Sequence, residues 1–277
     1  MAERPDVEEL TIEECSSENG IIIIATINRP EKLNALNTDV KEAIKSLCNW
    51  AQESDEVLVV IFRGASPLPP PEGKRQKPHA FVAGADVGEF VGKDSTTIRP
   101  EFENNVWEAV WQLRKPTIAL IDGYALGGGS ELALSCDIRV ATNRSMFGTP
   151  EINLGLIPGG GGTQRLTWLV GYGKAMEMVM GGEMIDGVEA YRIGLVNHIV
   201  EPDDLMNKGM EIANNLSSKS ALTIQVAKQA VRAALDNPIT DGIILEHNMF
   251  VDLFDTKDKE IGVNAFMERR KAEWKGE

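Results

Sequence analysis

The chain has 277 residues, of which 43% are hydrophobic and 25% charged, and its formal net charge at pH 7 is -14. That is enough apolar material for a large buried core, so we expect one main domain with a smaller appendage. The acidic balance disfavours binding to nucleic acid or to anionic membranes, because the summed field repels phosphates. The few cysteines and histidines are scattered, which indicates neither a disulfide framework nor a metal site.

The first part of the chain predicts a hairpin followed by α/β structure. The runs LTIEEC and IIIIATI flank SSENG, whose Asn-Gly pair suits a tight turn. Apolar residues then recur at helical spacing from Val40 to Ala51, with Asn37 or Thr38 as the N-cap. The apolar run VLVVIF predicts a strand that is covered on both faces. A helix is predicted next over residues 100–114.

The remainder predicts a core of alternating strands and helices and then a helical tail. AFVA, TIALID and DIRVA are typical of strands, and residues 128–135 predict a helix between the last two. After about residue 203 the strand patterns stop, and further helices are predicted over residues 203–217, 220–235, 239–254 and 258–271. We therefore expect a core domain over residues 1–202 and a helical region over residues 203–277.

Two segments bear on exposure and location. Residues 65–79, ASPLPPPEGKRQKPH, contain five prolines and only one large apolar side chain, Leu68, which predicts an exposed, extended loop. The N-terminal MAERPDVEEL is acidic and lacks the apolar centre of a secretory signal, and no run is long enough to span a membrane. The sequence therefore predicts a cytoplasmic protein.

The stretch ALGGGSELALSCD, residues 125–137, places three glycines directly before a serine, a glutamate and an apolar helix. It is not a Walker loop, and neither it nor PGGGGTQRL completes a dinucleotide fingerprint. Ser130 lacks the second glycine of the G-x-S-x-G nucleophile elbow, since Leu132 stands there, and no histidine partner can be placed, so a serine nucleophile is disfavoured. Free backbone N–H groups at the helix start are suited to an oxyanion, which can approach glycine closely. The alternative is a tight strand-to-helix turn.

Two further stretches favour the anion-binding interpretation. FVAGADVGEF, residues 81–90, again leads from a strand through small residues to an abrupt helix start, and offers a second outward N–H at about Ala85. FGTPEINLGLIPGGGGTQRL, residues 147–166, places a second carboxylate, Glu151, just after a proline. Two N–H donors and two carboxylates are therefore candidates for one site.

These segments, together with NRPEKLNALN, GEMIDGVEAYRIGLVNHIV and the ERRKAEWK tail, resemble the crotonase (enoyl-CoA hydratase/isomerase) superfamily, most of all its short-chain enoyl-CoA hydratases. The resemblance covers most of the chain and rests on several motifs in the same order. It implies a spiral of ββα repeats, a C-terminal helical trimerisation region and an acyl-CoA thioester substrate. It also implies a homo-oligomer, either a trimer or a dimer of trimers, with no cofactor beyond the CoA that the substrate itself carries.

The resemblance assigns roles to the four candidate residues. The N–H groups of Ala85 and Gly128 would form an oxyanion hole that stabilises a thioester enolate. Glu131 would orient and deprotonate water, and Glu151 would deliver the proton to C2 of the substrate. If the family resemblance is set aside, the alternative for Glu131 is an acidic residue that interacts with the helix dipole on the first turn, and the alternative for Glu151 is a solvated turn residue.

The resemblance also suggests CoA contacts and a limit on chain length. The suggested CoA contacts are Ala83, Lys74 in the proline-rich loop, and Arg269 and Lys271 in the tail, which would act on a neighbouring subunit. A solvated run of charges is the alternative for Lys74, Arg75 and Lys77. Trp107 and Trp111 lie four residues apart and are candidates to bound the acyl pocket, with ordinary core packing as the alternative.

Three other functions stay open from the sequence. A 3-hydroxyacyl-CoA dehydratase of short substrates such as 3-hydroxypropionyl-CoA or 3-hydroxybutyryl-CoA is the same chemistry run in reverse, and sequence does not set the direction. A Δ3,Δ2-enoyl-CoA isomerase generally keeps only the second glutamate, so the pair Glu131 and Glu151 favours hydration. An RNA-binding relative of these enzymes is disfavoured by the net charge of -14.

Overall fold

A computed structural model describes residues 2–277, within which the strands form a six-stranded and a four-stranded sheet. The strands are β1 Leu10–Ser16, β2 Ile21–Ile27, β3 Val57–Gly64, β4 Ala80–Val82, β5 Thr117–Ile121, β6 Tyr124–Leu126, β7 Ile138–Thr142, β8 Met146–Gly148, β9 Ile185–Asp186 and β10 His198–Val200. The larger sheet has the order β1-β2-β3-β5-β7-β10 and is parallel except for the β1–β2 hairpin. The smaller has the order β4-β6-β8-β9, with only β8 and β9 antiparallel.

The helices follow the strands in a repeating pattern. They are α1 Thr38–Glu53, α2 Ser95–Glu103, α3 Val106–Gln112, α4 Gly128–Ser135, α5 Gly162–Val170, α6 Tyr172–Gly181, α7 Gly187–Arg192, α8 Leu205–Ser217, α9 Ala221–Asp236, α10 Ile239–Asp252 and α11 Lys257–Met267. In each turn of the spiral one strand joins the larger sheet, the next joins the smaller sheet, and a helix follows: β3–β4–α2/α3, β5–β6–α4 and β7–β8–α5. The predicted ββα spiral with a helical C-terminal region is confirmed.

Apolar side chains cover both faces of the larger sheet. On one face Val60 and Phe62 pack with Ile44 of α1 in a fully buried cluster. On the other face Val59 and Ile61 join a second cluster, against which α8 packs. All residues from Val57 to Phe62 are buried, which confirms the strand predicted from VLVVIF. The rigid sheet fixes where each strand ends, and these ends carry the candidate site.

Most predicted elements are confirmed, and two helices need correction. The hairpin strands and the helix over residues 128–135 occur where they were predicted, and Asn37 caps α1 by accepting from the N–H of Val40. The single helix predicted over residues 100–114 is wrong: α2 ends at Glu103, and Asn105 caps a new helix, α3. The last helix ends at Met267 and not at residue 271. Arg269 has a positive φ of 54°, which an α-helix does not allow, so the helix cannot continue through it.

The helical tail packs in two ways. Helix α8 lies on the larger sheet, whereas α9 and α10 pack on each other. Several large apolar side chains of the last helices are exposed, among them Ile239, Phe250, Val251, Phe254, Phe266 and Met267. The division into regions 1–202 and 203–277 stays a prediction. Among residues 2–277, none of the helices is both long and apolar enough to cross a membrane.

Candidate active site

The ends of β4 and β6 bring two peptide N–H groups together. These strands are parallel neighbours, with Ala80 beside Tyr124 and Val82 beside Ala125, so the residues that follow each strand meet at one edge of the smaller sheet. After β4, the carbonyl of Gly84 accepts from Leu36 N and the N–H of Asp86 donates to Leu36 O.

Because those two bonds lie on one side of the chain, the N–H of Ala85 points to the opposite side. After β6, Gly128 is the first residue of α4, so its N–H has no acceptor within the helix. Ala85 and Gly128 both line one cavity.

Glycine is required where α4 begins. Gly127 has a φ of 50°, which strains other residues. A Cβ on Gly128 would lie 3.4 Å from Ala85 N and 3.1 Å from Cζ2 of Trp107, so a side chain there would fill the space in front of the two donors. The Trp107 indole N–H donates to the Gly128 carbonyl at 2.8 Å and fixes this peptide.

Glu131 lies on the first turn of α4 and is only 2% exposed. Its Oε1 accepts hydrogen bonds from the backbone N–H groups of Gly160 at 2.7 Å and Gly162 at 2.9 Å. Burial raises its pKa from the ordinary 4.5 to about 7. The nearby charge of Glu151 also raises it, while the two N–H donors and the charge of Arg165 oppose the rise. This carboxyl is therefore close to half ionised near neutral pH.

Glu151 approaches the same space from a 3-10 turn over Pro150–Leu154. A Cβ on Gly127 would lie 3.0 Å from Glu151 Oε1, so this carboxyl packs against the glycine that begins α4. Its Oε2 is buried and has no hydrogen-bond partner among residues 2–277. Burial raises the pKa of Glu151 as well. An unpartnered buried carboxyl oxygen favours the protonated acid.

The two carboxyls and the two N–H donors line a cavity of about 700 Å³. Apolar side chains make up much of the remaining wall: Val87, Phe90, Ile98, Phe102, Trp107, Leu154, Leu156 and Ile157. Phe102 and Trp107 stack with their ring centroids 5.9 Å apart. The arrangement can therefore hold an apolar ligand with one oxyanion at the N–H pair and two carboxyls beside it.

A family model described as enoyl-CoA hydratase/isomerase matches residues 16–277. The chain belongs to this family. The short-chain-enoyl-CoA hydratase of Clostridium acetobutylicum is 41% identical over 258 residues, which cover 92% of this chain and 94% of that protein. The crotonyl-CoA hydratase of Syntrophomonas wolfei is 37% identical over 254 residues, covering 91% and 93%. The crystal structure of an enoyl-CoA hydratase from Bacillus anthracis has a TM-score of 0.87 at 32% identity and covers 97% of this chain and 100% of that one.

The structure shows which of the predicted site residues line the cavity. Glu131, Glu151, Ala85, Gly128 and Ala83 all line the cavity. Three suggested CoA contacts do not: Lys74 is exposed in the proline-rich loop, and Arg269 and Lys271 are exposed in the tail, where Lys271 pairs with Glu18 at 2.6 Å. Their contacts with CoA stay predictions.

The two tryptophans have different surroundings. Trp107 lines the cavity, as the sequence suggested. Trp111 does not: its ring is contacted by two guanidinium groups, Arg165 at 4.6 Å and Arg232 at 3.9 Å from the ring centroid. Of the two candidates to bound the acyl pocket only Trp107 lines the cavity, and the Trp111 ring instead packs against these two cations.

Sequence reasoning missed the backbone that holds Glu131. The run PGGGG was considered only as a phosphate loop, yet two of its N–H groups bind a carboxylate of the same chain. The local signal was present, since a glycine run before a helix offers free N–H donors. Lys93 and Asp94, which line the cavity, were also missed. Among residues 2–277 there is no cluster of three His, Cys, Asp or Glu side chains able to hold a metal ion.

Proposed function

We propose that the protein is an enoyl-CoA hydratase, which adds water reversibly to a trans-2-enoyl-CoA such as crotonyl-CoA to give the 3-hydroxyacyl-CoA. The named relatives support the reaction, since the chain matches hydratases over most of its length. The observation that carries the proposal is the meeting of two raised-pKa carboxyls with two free N–H donors in one cavity. We propose that CoA enters as part of the substrate and that no separate cofactor is required.

The N–H groups of Ala85 and Gly128 would bind the thioester oxygen. Addition of water at C3 places negative charge on that oxygen as an enolate forms. Donors that are already oriented towards the developing charge stabilise it without reorganisation, and removal of one such donor typically costs about 3 kcal/mol of activation free energy. The small residues around them allow the thioester to approach the backbone.

Glu131 is suited to activate the water. Its Oε1 is held by Gly160 and Gly162, which fixes the carboxylate and leaves its other oxygen for water. Hydrogen bonds from N–H groups favour the charged form, which a base requires. A base whose pKa lies near the working pH also combines availability with strength.

Glu151 is suited to deliver the proton to C2. Its buried Oε2 lacks a hydrogen-bond partner. When Glu131 and Glu151 together carry one proton, that proton is therefore best placed on Glu151. Two interacting carboxyls titrate as a unit, and we assign the acid and base by their hydrogen bonds. In the reverse direction the same groups exchange roles, so the dehydratase reaction needs no other residue.

The test is the loss of the conjugated-thioester absorbance of crotonyl-CoA, measured with EDTA and without nicotinamide or added metal. A chain-length series and a 3-enoyl-CoA substrate run in parallel, because the isomerase alternative predicts turnover only of the latter. Hydration of the 2-enoyl series supports the proposal. No hydration at any chain length overturns it. Hydration that disappears in EDTA overturns the proposal that no cofactor is needed.

We also propose that the protein assembles as a trimer or a dimer of trimers. The exposed apolar side chains of α10 and α11 support this assembly, because monomeric proteins rarely expose a large apolar surface to solvent. Sedimentation at micromolar concentration tests it, and a persistent monomer contradicts it. The cytoplasmic location remains a prediction, which subcellular fractionation tests.

A further inference from the structure

The loop that holds Glu131 has little structure of its own to hold it in place. Residues 158–162 read PGGGG, and glycine leaves the backbone conformationally free. The N–H groups of Gly160 and Gly162 nevertheless have to converge on one oxygen of Glu131. The position of the Glu131 carboxylate therefore depends on the contacts that fix this loop, and small errors in such a position are costly for catalysis.

Arg165 supplies that support. It belongs to α5, and its side chain turns back towards the start of its own helix, where Nη1 donates to the carbonyl of Gly160 at 2.8 Å. The same nitrogen donates to Ser135 Oγ of α4 at 3.2 Å, and Ser135 Oγ donates to the Glu131 carbonyl at 2.8 Å. One guanidinium thus connects the glycine loop to the helix that carries Glu131.

The space around Gly161 is shaped to this guanidinium. Gly161 has a φ of 96°, and a Cβ there would lie 2.3 Å from Arg165 Nη1. The other end of the guanidinium pairs with Glu108 of α3 at 3.0 Å, and its Cζ lies 4.6 Å from the Trp111 ring centroid. Arg165 is therefore held from three sides, and its position is fixed before any substrate binds.

The placement of this cation is electrostatically unfavourable for α5. The N-terminus of a helix carries partial positive charge, so a guanidinium near it is repelled. Burial also disfavours the charge and lowers the pKa of Arg165, but a guanidinium remains protonated at neutral pH. Glu108, paired with Arg165 at 3.0 Å, is the main negative partner that offsets these effects, and Glu131, which the Gly160 peptide connects to Arg165, adds a weaker attraction.

We propose that Arg165 is a positioning residue: it fixes the Gly160 peptide against the Glu131 carboxylate and places a permanent positive charge beside it. The inference rests on the proposed function in one respect, namely that Glu131 activates water. The connection from Arg165 through Gly160 to Glu131 is a property of the fold and does not depend on the reaction.

The sign of the electrostatic effect follows from the charges around Glu131. Glu151 from the 3-10 turn raises its pKa, and Arg165 from α5 lowers it. Glu108 of α3 and Arg232 of α9 face Arg165. Lys93 and Asp94 line the same cavity as Glu131. If the charge of Arg165 is removed, only the N–H groups of Gly160 and Gly162 still oppose burial and Glu151, so the pKa of Glu131 rises and the base is ionised over a narrower range of pH.

The experiment compares Arg165→Met, which lacks both charge and donors, with Arg165→Lys, which keeps the charge but loses the planar fork. Arg144→Gln is the matched control, because Arg144 pairs with Asp122 outside the catalytic cavity. Each protein is assayed for kcat and for the pH dependence of kcat/KM with crotonyl-CoA. The carboxyl band of Glu131 is titrated separately by infrared difference against the same protein carrying Glu131→Gln.

We expect Arg165→Met to move the acidic limb of kcat/KM to higher pH and to lower kcat roughly 10- to 100-fold. Arg165→Lys should lower kcat while its limb stays near that of the wild type, and Arg144→Gln should change neither. A uniform loss of rate at every pH in Arg165→Met, without a shift of the limb, overturns the electrostatic role. A wild-type kcat in Arg165→Lys overturns the positioning role, and this result is informative even if the Met variant does not fold.

The infrared titration separates this inference from the proposed function. If the wild type hydrates no enoyl-CoA, the proposed function fails, but a Glu131 band that titrates at higher pH in Arg165→Met still supports the connection. If that band titrates at the same pH with and without the Arg165 charge, the inference fails whether or not the protein is a hydratase.

Discussion

Replacement of Glu131 by Gln should greatly slow hydration and also stabilise the fold above neutral pH. Glu131 is 2% exposed, and burial raises its pKa from 4.5 to about 7. A raised pKa means that the folded state prefers the protonated form, so folding stability is complete below the unfolded value of 4.5 and is lost as pH rises through about 7. The gap corresponds to about 3 kcal/mol of destabilisation at pH 8.

A glutamine at this position avoids that loss because it is neutral at every pH. Its Oε1 can accept the same bonds from Gly160 and Gly162, although bonds to a neutral oxygen are weaker than those to a carboxylate. We therefore expect a net gain of about 1 to 3 kcal/mol at pH 8. At pH 5 the gain should largely disappear, since Glu131 is then protonated in the folded state.

Urea unfolding at pH 5 and pH 8, at one fixed protein concentration, measures this difference, and crotonyl-CoA hydration measures the activity. Glu103→Gln is the control, because Glu103 is an exposed carboxyl of α2. We expect kcat of Glu131→Gln to fall roughly 10²- to 10⁴-fold while Glu103→Gln changes neither property. If Glu131→Gln is equally or less stable than the wild type at pH 8, the burial argument is wrong; if it hydrates at the wild-type rate, Glu131 is not the base.

Three further outcomes test other parts of the site. Glu151→Gln should lower kcat roughly 10²- to 10⁴-fold with little change in the affinity for a saturated acyl-CoA measured by calorimetry. Gly128→Ala should lower kcat more than it raises KM, because its Cβ, 3.4 Å from Ala85 N, fills the space of the oxyanion. Gly160→Ala should lose roughly 1 to 3 kcal/mol of stability in urea, since its Cβ would lie 2.3 Å from Cδ2 of the Trp107 ring.

The parts of the fold that the sequence predicts are those with a repeating pattern. The hairpin has an Asn-Gly turn between two strand-like runs, α1 has a clear apolar period, and both occur as predicted. Strands β6, β8, β9 and β10 were not predicted, because they contain only two or three residues and depend on neighbouring strands in the two sheets. A segment of that length carries no readable period. The spiral itself was predicted only through the family resemblance.

In the candidate site too, contacts between residues close in sequence can be predicted, whereas contacts between distant residues cannot. Glu131 and Gly128 share one helix turn, so their proximity follows from sequence spacing alone. The bonds from Gly160 and Gly162 to Glu131 join residues about thirty positions apart. The role of Arg165 is even harder to predict from the sequence, since it depends on how α5 packs on α4. Contacts of this kind require the tertiary structure, and no local pattern predicts them.

The site collects features that ordinary folding disfavours. Glu131 is a buried carboxyl, Glu151 has a buried oxygen without a partner, and Arg165 is a cation near a helix N-terminus. Each feature alone lowers stability. Together they partly offset one another, because the cation and the backbone donors oppose the rise in the Glu131 pKa that burial causes. A fold under selection for stability alone would replace all three with neutral side chains, so two carboxyls in one cavity with this cation behind the loop that holds Glu131 indicate that the chemistry of the site maintains them.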